Sequence, residues 1–186
     1  ICKCFACGEG GNAVNFLMKH EQITYPEALR WLAKKYNIEI HERELTDEEK
    51  KEQSERESMF IVNEWACQYF HDILKNNVDG MAIGRQYFRS RGFRDDIIRK
   101  FRLGYDLPQA EALPALMLRE GYKEKYLLQN PDTGVGVGLC YKSERDGRLI
   151  DRFAGRVVFP WFNLSGKVVG FNARKLDQAT KGVQQK

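Results

Sequence analysis

The chain has 186 residues, 42% hydrophobic and 12% aromatic, with 30 Lys and Arg against 26 Asp and Glu. That length holds one good domain plus a small appendage, and the composition excludes a disordered or fibrous chain. No apolar run approaches the ~18–20 residues needed to cross a bilayer, so no membrane partner is expected. The net charge of +4 is too small to announce a partner by itself.

Charge distribution says more than the total. Residues 41–58 carry eight acids and four bases, residues 81–104 seven bases and two acids, and residues 148–175 six bases and one acid. Five cysteines, three of them crowded at the N-terminus, do not form a secreted disulfide framework, so a reducing cytoplasm is expected. No signal peptide is visible, and because the chain begins at Ile1 rather than Met an upstream part is expected.

In chain order, the first motif is Cys4-Phe5-Ala6-Cys7-Gly8, a C-x-x-C followed by glycines. This spacing lets two thiolates reach one metal from a tight knuckle, and glycine supplies the left-handed backbone. A closed zinc site needs two more ligands. Cys2, His20 and His41 are available but unpatterned, and the other pair is expected upstream. A redox C-x-x-C, which would need a βαβ context, and incidental thiols are the competing readings.

Asn12 is placed to cap a short helix carrying Ala13, Phe16 and Leu17. Thr24, Pro26 and Glu27 form the start of a second helix, with a capping box and an apolar stripe of Ala28, Leu29, Leu32, Ala33 and Tyr36. Ile38-Glu39-Ile40 is expected to be a short extended tail. Residues 41–58 form a charged linker between a first domain, 1–40, and a second, 59–186. Thr46 with Glu49 repeats the capping box, so the linker should pass into a helix whose apolar side is Met59, Val62, Ala66, Tyr69 and Ile73.

Short helices are expected to end at Gly92, Gly104 and Gly121. The pair around Arg91-Gly92-Phe93 superficially suggests a helix-turn-helix but lacks base-reading side chains. Arg91 is either a phosphate contact or a helix C-terminal cap. Asn130-Pro131-Asp132-Thr133-Gly134 is a turn, and Val135–Gly138 is expected to begin a strand reaching Tyr141. Arg145–Arg148 is a hairpin turn.

The stretch from Asp151 to Lys175 reads as two strands, through Val157-Val158-Phe159 and Val168-Val169-Gly170-Phe171, joined by Asn163-Leu164-Ser165-Gly166. Such a hairpin gathers Arg152, Arg156, Arg174 and Lys175 at one sheet edge. Phosphate binding is one reading, and solvated edge cations that discourage sheet pairing are the other. Trp161 and Phe171 are either stacking platforms for bases or core residues, and Phe159 is expected in the core. The chain stops at Lys186 with no closing element, as if within a domain.

Several of these segments together resemble the bacterial DnaG-type primase family. Cys4–Gly8, Gly11-Asn12-Ala13, Phe16-Leu17, Glu27-Ala28-Leu29 and Leu32-Ala33 are similar to the second half of its zinc-binding domain. Arg56-Glu57-Ser58-Met59, Arg91-Gly92-Phe93, Asp151-Arg152-Phe153, Gly155 to Pro160 and Gly166 to Phe171 with Arg174 are similar to the start of its RNA polymerase domain. The resemblance implies an α+β fold: a partial zinc-ribbon domain followed by a mixed helical and antiparallel-sheet subdomain.

It further implies a DNA-directed RNA polymerase, a nucleotidyltransferase that starts short RNA primers from NTPs on a single-stranded DNA template at the replication fork. A replicative helicase would be a partner through a region outside this chain. The positions implied to hold nucleic acid are Arg91, Arg152, Arg156, Arg174 and Lys186. Lys175 is added from charge alone, and Ala154 stands where the family is commonly basic. Zinc is implied at Cys4 and Cys7. Mg²⁺ would be held by acids after Lys186, so this chain alone is expected to be inactive and to hold zinc poorly. A non-catalytic zinc-ribbon module that binds single-stranded nucleic acid is the alternative.

Overall fold

The computed structural model describes residues 1–6, 8–40 and 44–176 and separates into two units. One comprises Ile1–Glu52 with Phe162–Lys167, the other Gln53–Trp161 with Val168–Lys186.

In the first unit, β1 (Cys2–Lys3) and β2 (Gly10–Gly11) pair antiparallel and enclose the cysteine knuckle. Helix α1 (Ala13–His20) starts where expected: the Asn12 side chain accepts from the Asn15 N–H at 2.9 Å. In α2 (Tyr25–Tyr36) the Thr24–Glu27 capping box is formed, and the Thr24 N–H donates to the Glu27 carboxylate at 2.7 Å. Only part of the expected stripe is covered. Ala28 and Ala33 are buried, whereas Leu29 and Tyr36 are exposed. Ile38–Ile40 form no strand.

Helix α3 (Asp47–Asn76) begins at the second capping box, with the Thr46 N–H on Glu49 at 2.9 Å and the Glu49 N–H on Thr46 Oγ1 at 3.2 Å. Its first turns are polar and exposed, as a solvated face should be. Further on, the apolar stripe is Val62, Ala66, Phe70 and Leu74, a strict i, i+4 ladder. The phase differs slightly from the sequence reading. Phe70 is fully buried while Tyr69 is half-buried, because Phe70 faces the sheet and meets Phe153 and Phe171 edge to face at 5.8 and 5.5 Å.

After α3 the chain makes a π-helical turn, Gly80–Arg85, continuing into α4 (Gln86–Ser90). Helix α5 (Asp95–Lys100) follows the Gly92 corner, where φ is +80°. Then come β3 (Gly104–Tyr105), α6 (Ala112–Arg119) and α7 (Glu124–Leu127). Strands β4 (Cys140–Lys142) and β5 (Leu149–Asp151) form one small antiparallel sheet. Strands β6 (Arg156–Phe162) and β7 (Val168–Lys175) form the expected hairpin and join β3 in a second sheet, order β3-β6-β7.

One strand expectation is overturned. Val135–Gly138 is irregular because Gly136 and Gly138 adopt φ of +101° and +69°, which a strand cannot accommodate. A Cβ on Gly136 would lie 1.7 Å from the Leu128 carbonyl oxygen, so this segment is pressed onto the chain after α7. The strand starts only at Cys140.

Two apolar clusters flank the three-stranded sheet. One joins Val62, Ala66 and Phe70 to Leu113, Met117, Leu127, Leu139, Phe153 and Val158. The other joins Ile73 and Leu74 to Phe88, Ile98, Leu103, Tyr105 and Val157. Between them the backbone of Gly104 lies directly on α3: an added Cβ would sit 2.5 Å from Phe70 Cβ and 2.9 Å from the Phe70 carbonyl carbon. Gly104→Ala is therefore expected to cost about 1–3 kcal/mol in urea unfolding. Gly170→Ala, where an added Cβ meets nothing within 4 Å, should be neutral within about 0.5 kcal/mol.

Candidate nucleic-acid interface

The hairpin turn is built by Asn163, whose Oδ1 accepts from the N–H groups of Ser165 (3.1 Å) and Lys167 (2.9 Å). Because β6 and β7 run antiparallel, the start of β6 and the end of β7 lie at the same end of the sheet. That end carries Arg156, Arg174 and Lys175. Arg152 lies just before it, in the turn from β5 to β6, exposed and with its guanidinium 5.9 Å from the Tyr141 ring centroid.

Ion pairing sorts the cations. In the 81–104 zone Arg85 and Arg89 share Asp95 at 2.9 and 3.0 Å, Arg94 pairs with Asp96, and Arg102 forks onto Glu64. These partners hold Asp95 and Glu64 below the usual carboxylate range and bring Asp96 down to about 2. Arg148 pairs with Glu111 and Asp146. Among the described residues Arg91, Arg99, Lys100, Arg152, Arg174 and Lys175 make no ion pair. A cation without a carboxylate can take a phosphate without first breaking a bond, which leaves three such cations near the hairpin end and three, Arg91, Arg99 and Lys100, in the 81–104 zone.

Arg91 sits apart from the hairpin in the sequence, at the α4–α5 corner. Its backbone N–H caps α4 through Tyr87 and Phe88 carbonyls at 3.3 and 3.2 Å, and its guanidinium lies 5.4 Å from the Tyr87 ring centroid. Lys186 lies outside the described residues. Phe159 packs edge to face on Phe88, and Phe171 is half-buried against Phe70, so both are core residues. Trp161 is 61% exposed and is the aromatic of this strand open to stacking.

The structure brings together one pair that the sequence does not reveal. Asp106, just after β3, and Asp151, ending β5, are 2% and 4% exposed, and each leaves its Oδ2 buried with no hydrogen-bond partner. Burial and the neighbouring Asp151 carboxyl push Asp106 well above the usual carboxylate range, and burial raises Asp151 as well. Asp151 is steadied by the Phe153 N–H at 2.7 Å and by the positive charge of Arg156. The two aspartates are far apart in the sequence, and no local spacing signals their meeting.

The thiols divide into two classes. Burial pushes Cys67 up to about 11 and Cys140 up to about 12, so neither is a metal ligand or nucleophile. Cys4 is exposed, in a knuckle where its N–H donates to the Glu9 carbonyl at 2.7 Å and the Gly8 N–H donates to the Cys4 carbonyl at 3.0 Å. Gly8 has φ of +73°, the left-handed geometry expected of a metal knuckle. Cys7 and His41 lie outside the described residues. His20 stacks on Phe16 and bonds Glu21. No group of three or more metal-ligating side chains occurs among the described residues.

Comparison with known proteins gives a consistent result. Residues 69–184 match the model of the DNA primase catalytic core, N-terminal domain, and residues 1–49 match that of the CHC2 zinc finger. The DNA primase of Halalkalibacterium halodurans is 35% identical over 93% of this chain, which spans 27% of that protein. The crystal structure of the Aquifex aeolicus primase (zinc binding and RNA polymerase domains) superposes with a TM-score of 0.54 at 29% identity, over 97% of this chain and 39% of that one. A structure of the DnaG primase catalytic domain bound to ssDNA gives a TM-score of 0.55 at 26% identity, over 69% of this chain and 38% of that one. The chain thus spans only about a quarter of the curated relatives' length, 27% and 28% in two cases.

Alkylation in the folded chain at pH 8 is expected to leave Cys67 and Cys140 unmodified until denaturant is added. Rapid labelling of either, mapped by mass spectrometry, would contradict the burial argument.

Proposed function

We propose, from the premise that this chain belongs to the family of the DNA primase catalytic core N-terminal domain, that it is the template-gripping part of a primase. The observation that carries this reading is the set of arginines and lysine at the open end of the β6–β7 hairpin, Arg152, Arg156, Arg174 and Lys175. All but Arg156 are exposed and have no carboxylate partner among the described residues, and Arg156 is half-buried beside Asp151. Their role is electrostatic. They hold template phosphates and release counterions, leaving bases free to pair with incoming nucleotides. The ssDNA bound by a relative of similar fold supports the choice of a single-stranded partner. Trp161 offers one base a stacking face, a sequence-tolerant contact. The family resemblance adds Arg91, and Lys186 outside the described residues, as further phosphate contacts.

The whole enzyme would be a nucleotidyltransferase that initiates RNA primers from NTPs during replication, placed in the cytoplasm at the nucleoid, with a replicative helicase as partner. The buried carboxylate pair does not fit a Mg²⁺ centre, since Asp106 and Asp151 lie away from solvent and no third metal-ligating side chain joins them among the described residues, so the metal chemistry is assigned to a part of the primase outside this chain. Zinc suits the knuckle. Cys4 and Cys7 would supply two thiolates to a structural site that orders a zinc-binding domain over residues 1–40, with residues 59–186 as the polymerase subdomain. A non-catalytic zinc-ribbon module leaves the match over residues 69–184 unexplained.

Fluorescence anisotropy of labelled single-stranded DNA across a salt series tests the grip. Arg152→Ala/Arg156→Ala should weaken binding and flatten the log–log salt slope by about 0.7 for each phosphate no longer neutralised. Parent-like binding by this double variant would move the template path to the 81–104 zone. For the metal, elemental analysis should find zinc reduced to background in Cys4→Ser/Cys7→Ser, and an unchanged content would remove the knuckle from the ligand set.

A further inference from the structure

The turn that presents Arg152 and Arg156 has no long strand of its own to hold it. It is stitched instead to the segment after β3. The Asp106 N–H donates to the Arg156 carbonyl at 2.9 Å, the Gly155 N–H to the Leu107 carbonyl at 3.1 Å, and the Asp151 N–H to the Ala110 carbonyl at 2.7 Å. At the centre of these bonds the Asp106 and Asp151 side chains meet. Asp106 Oδ2 and Asp151 Oδ2 are both buried, with no N–H or hydroxyl donor on either. Two ionised carboxylates cannot share such a site, so one proton must lie between them. Asp151 then uses its other oxygen to take the Phe153 N–H, setting the turn that carries Arg152.

We infer that Asp106 and Asp151 act as one carboxylic acid–carboxylate unit, positioning residues that hold Arg152 and Arg156 in the pose that grips template phosphate. The inference rests on the reading of those arginines as phosphate contacts. The groups facing the pair are Arg156 from β6, Cys140 from β4 and Tyr69 from α3, with Arg152 close to Cys140. Cys140 and Tyr69 are themselves pushed up to about 12 by burial and by the two aspartates, so both stay neutral. Among the described residues Arg156 is the cation acting on the pair, and it favours the charge on Asp151. The proton therefore resides on Asp106.

Stability depends on pH through this proton. The folded chain keeps it well above the usual carboxylate range, whereas an unfolded aspartate loses it near about pH 4. The unfolded state thus binds fewer protons in between, and stability falls as pH rises through that window. Asp106→Asn, whose amide donates to Asp151 without titrating, should remove this slope and melt higher than the parent at pH 8.

The decisive experiment uses the whole chain with ¹³C-labelled aspartate carboxyls, assigned through Asp106→Asn and Asp151→Asn. One of the two carboxyls should show no titration near pH 4 and stay protonated through neutrality. If both titrate independently near pH 4, the shared proton does not exist. Single-stranded DNA anisotropy provides the functional arm. Asp106→Leu, similar in size but unable to donate, should weaken affinity about tenfold, and Asp106→Asn should restore it to within about twofold of the parent. A parent-like Asp106→Leu would overturn the positioning role, and should that variant fail to fold, the carboxyl titration of the parent still decides the shared proton. If Arg152→Ala/Arg156→Ala binds normally while the carboxyl titration is as described, the phosphate reading fails and the shared proton survives.

Discussion

The second unit depends on one close approach, that of the Gly104 backbone to Phe70 on α3. There is no room for a side chain there, so β3 lies flat against the helix and Phe70 is free to meet Phe153 and Phe171 on its other side. The neighbouring His71 donates from Nδ1 to the Leu103 carbonyl at 2.8 Å, satisfying a buried carbonyl just before the strand. Strand β3 is only two residues long, yet it pairs with β6 through Gly104–Val158 and Tyr105–Val157. Since Val158 and Val157 face the two separate apolar clusters, that register ties both to the same helix. The hairpin is thereby seated from below, and its far strand β7 needs only β6 as a neighbour.

Seating the hairpin this way turns Asp151 and Phe153 inward at the passage from β5 to β6, which is where the aspartate pair arises. A buried carboxylate is costly unless neutralised or bonded. Here the pair does both, with a proton on one member and a backbone N–H and Arg156 serving the other. The same negative charge explains why Arg156 is only half-exposed while Arg152 and Arg174 reach solvent. The basic edge is therefore graded, its inner arginine tethered by the core and its outer cations open to a ligand.

Much of the local structure was legible because it is set by local chemistry. The capping boxes at Thr24 and Thr46 start their helices, Gly92 and Gly121 follow helix ends with positive φ, and Asn163 makes its turn. What was not legible was decided by partners distant in sequence. Val135–Gly138 has strand-like valines, but its glycines are used for close packing on Leu128. Tyr69 and Phe70 are interchangeable on hydrophobicity, and only the sheet decides which is buried. Of seven cations in 81–104, sequence could not say that Arg102 would reach Glu64 across 38 residues. The arginines of the hairpin could be named, since strand order predicts their gathering, but the aspartates beneath them could not.

If the proposed grip is made from short, stitched turns, it has a physical advantage over one made from a mobile basic tail. Each ordered arginine gives up as much as about 2 kcal/mol of rotamer freedom when fixed on a phosphate. Some of that entropy is already spent when the guanidinium lies over an aromatic ring, as Arg152 does over Tyr141, or beside a buried charge, as Arg156 does. The backbone beneath is held by hydrogen bonds at 2.7–3.1 Å, so its order is set before any ligand arrives. Such preorganisation lowers the cost of binding without adding charge. On the proposed reading, a chain of net charge only +4 could therefore hold template with a few ordered cations.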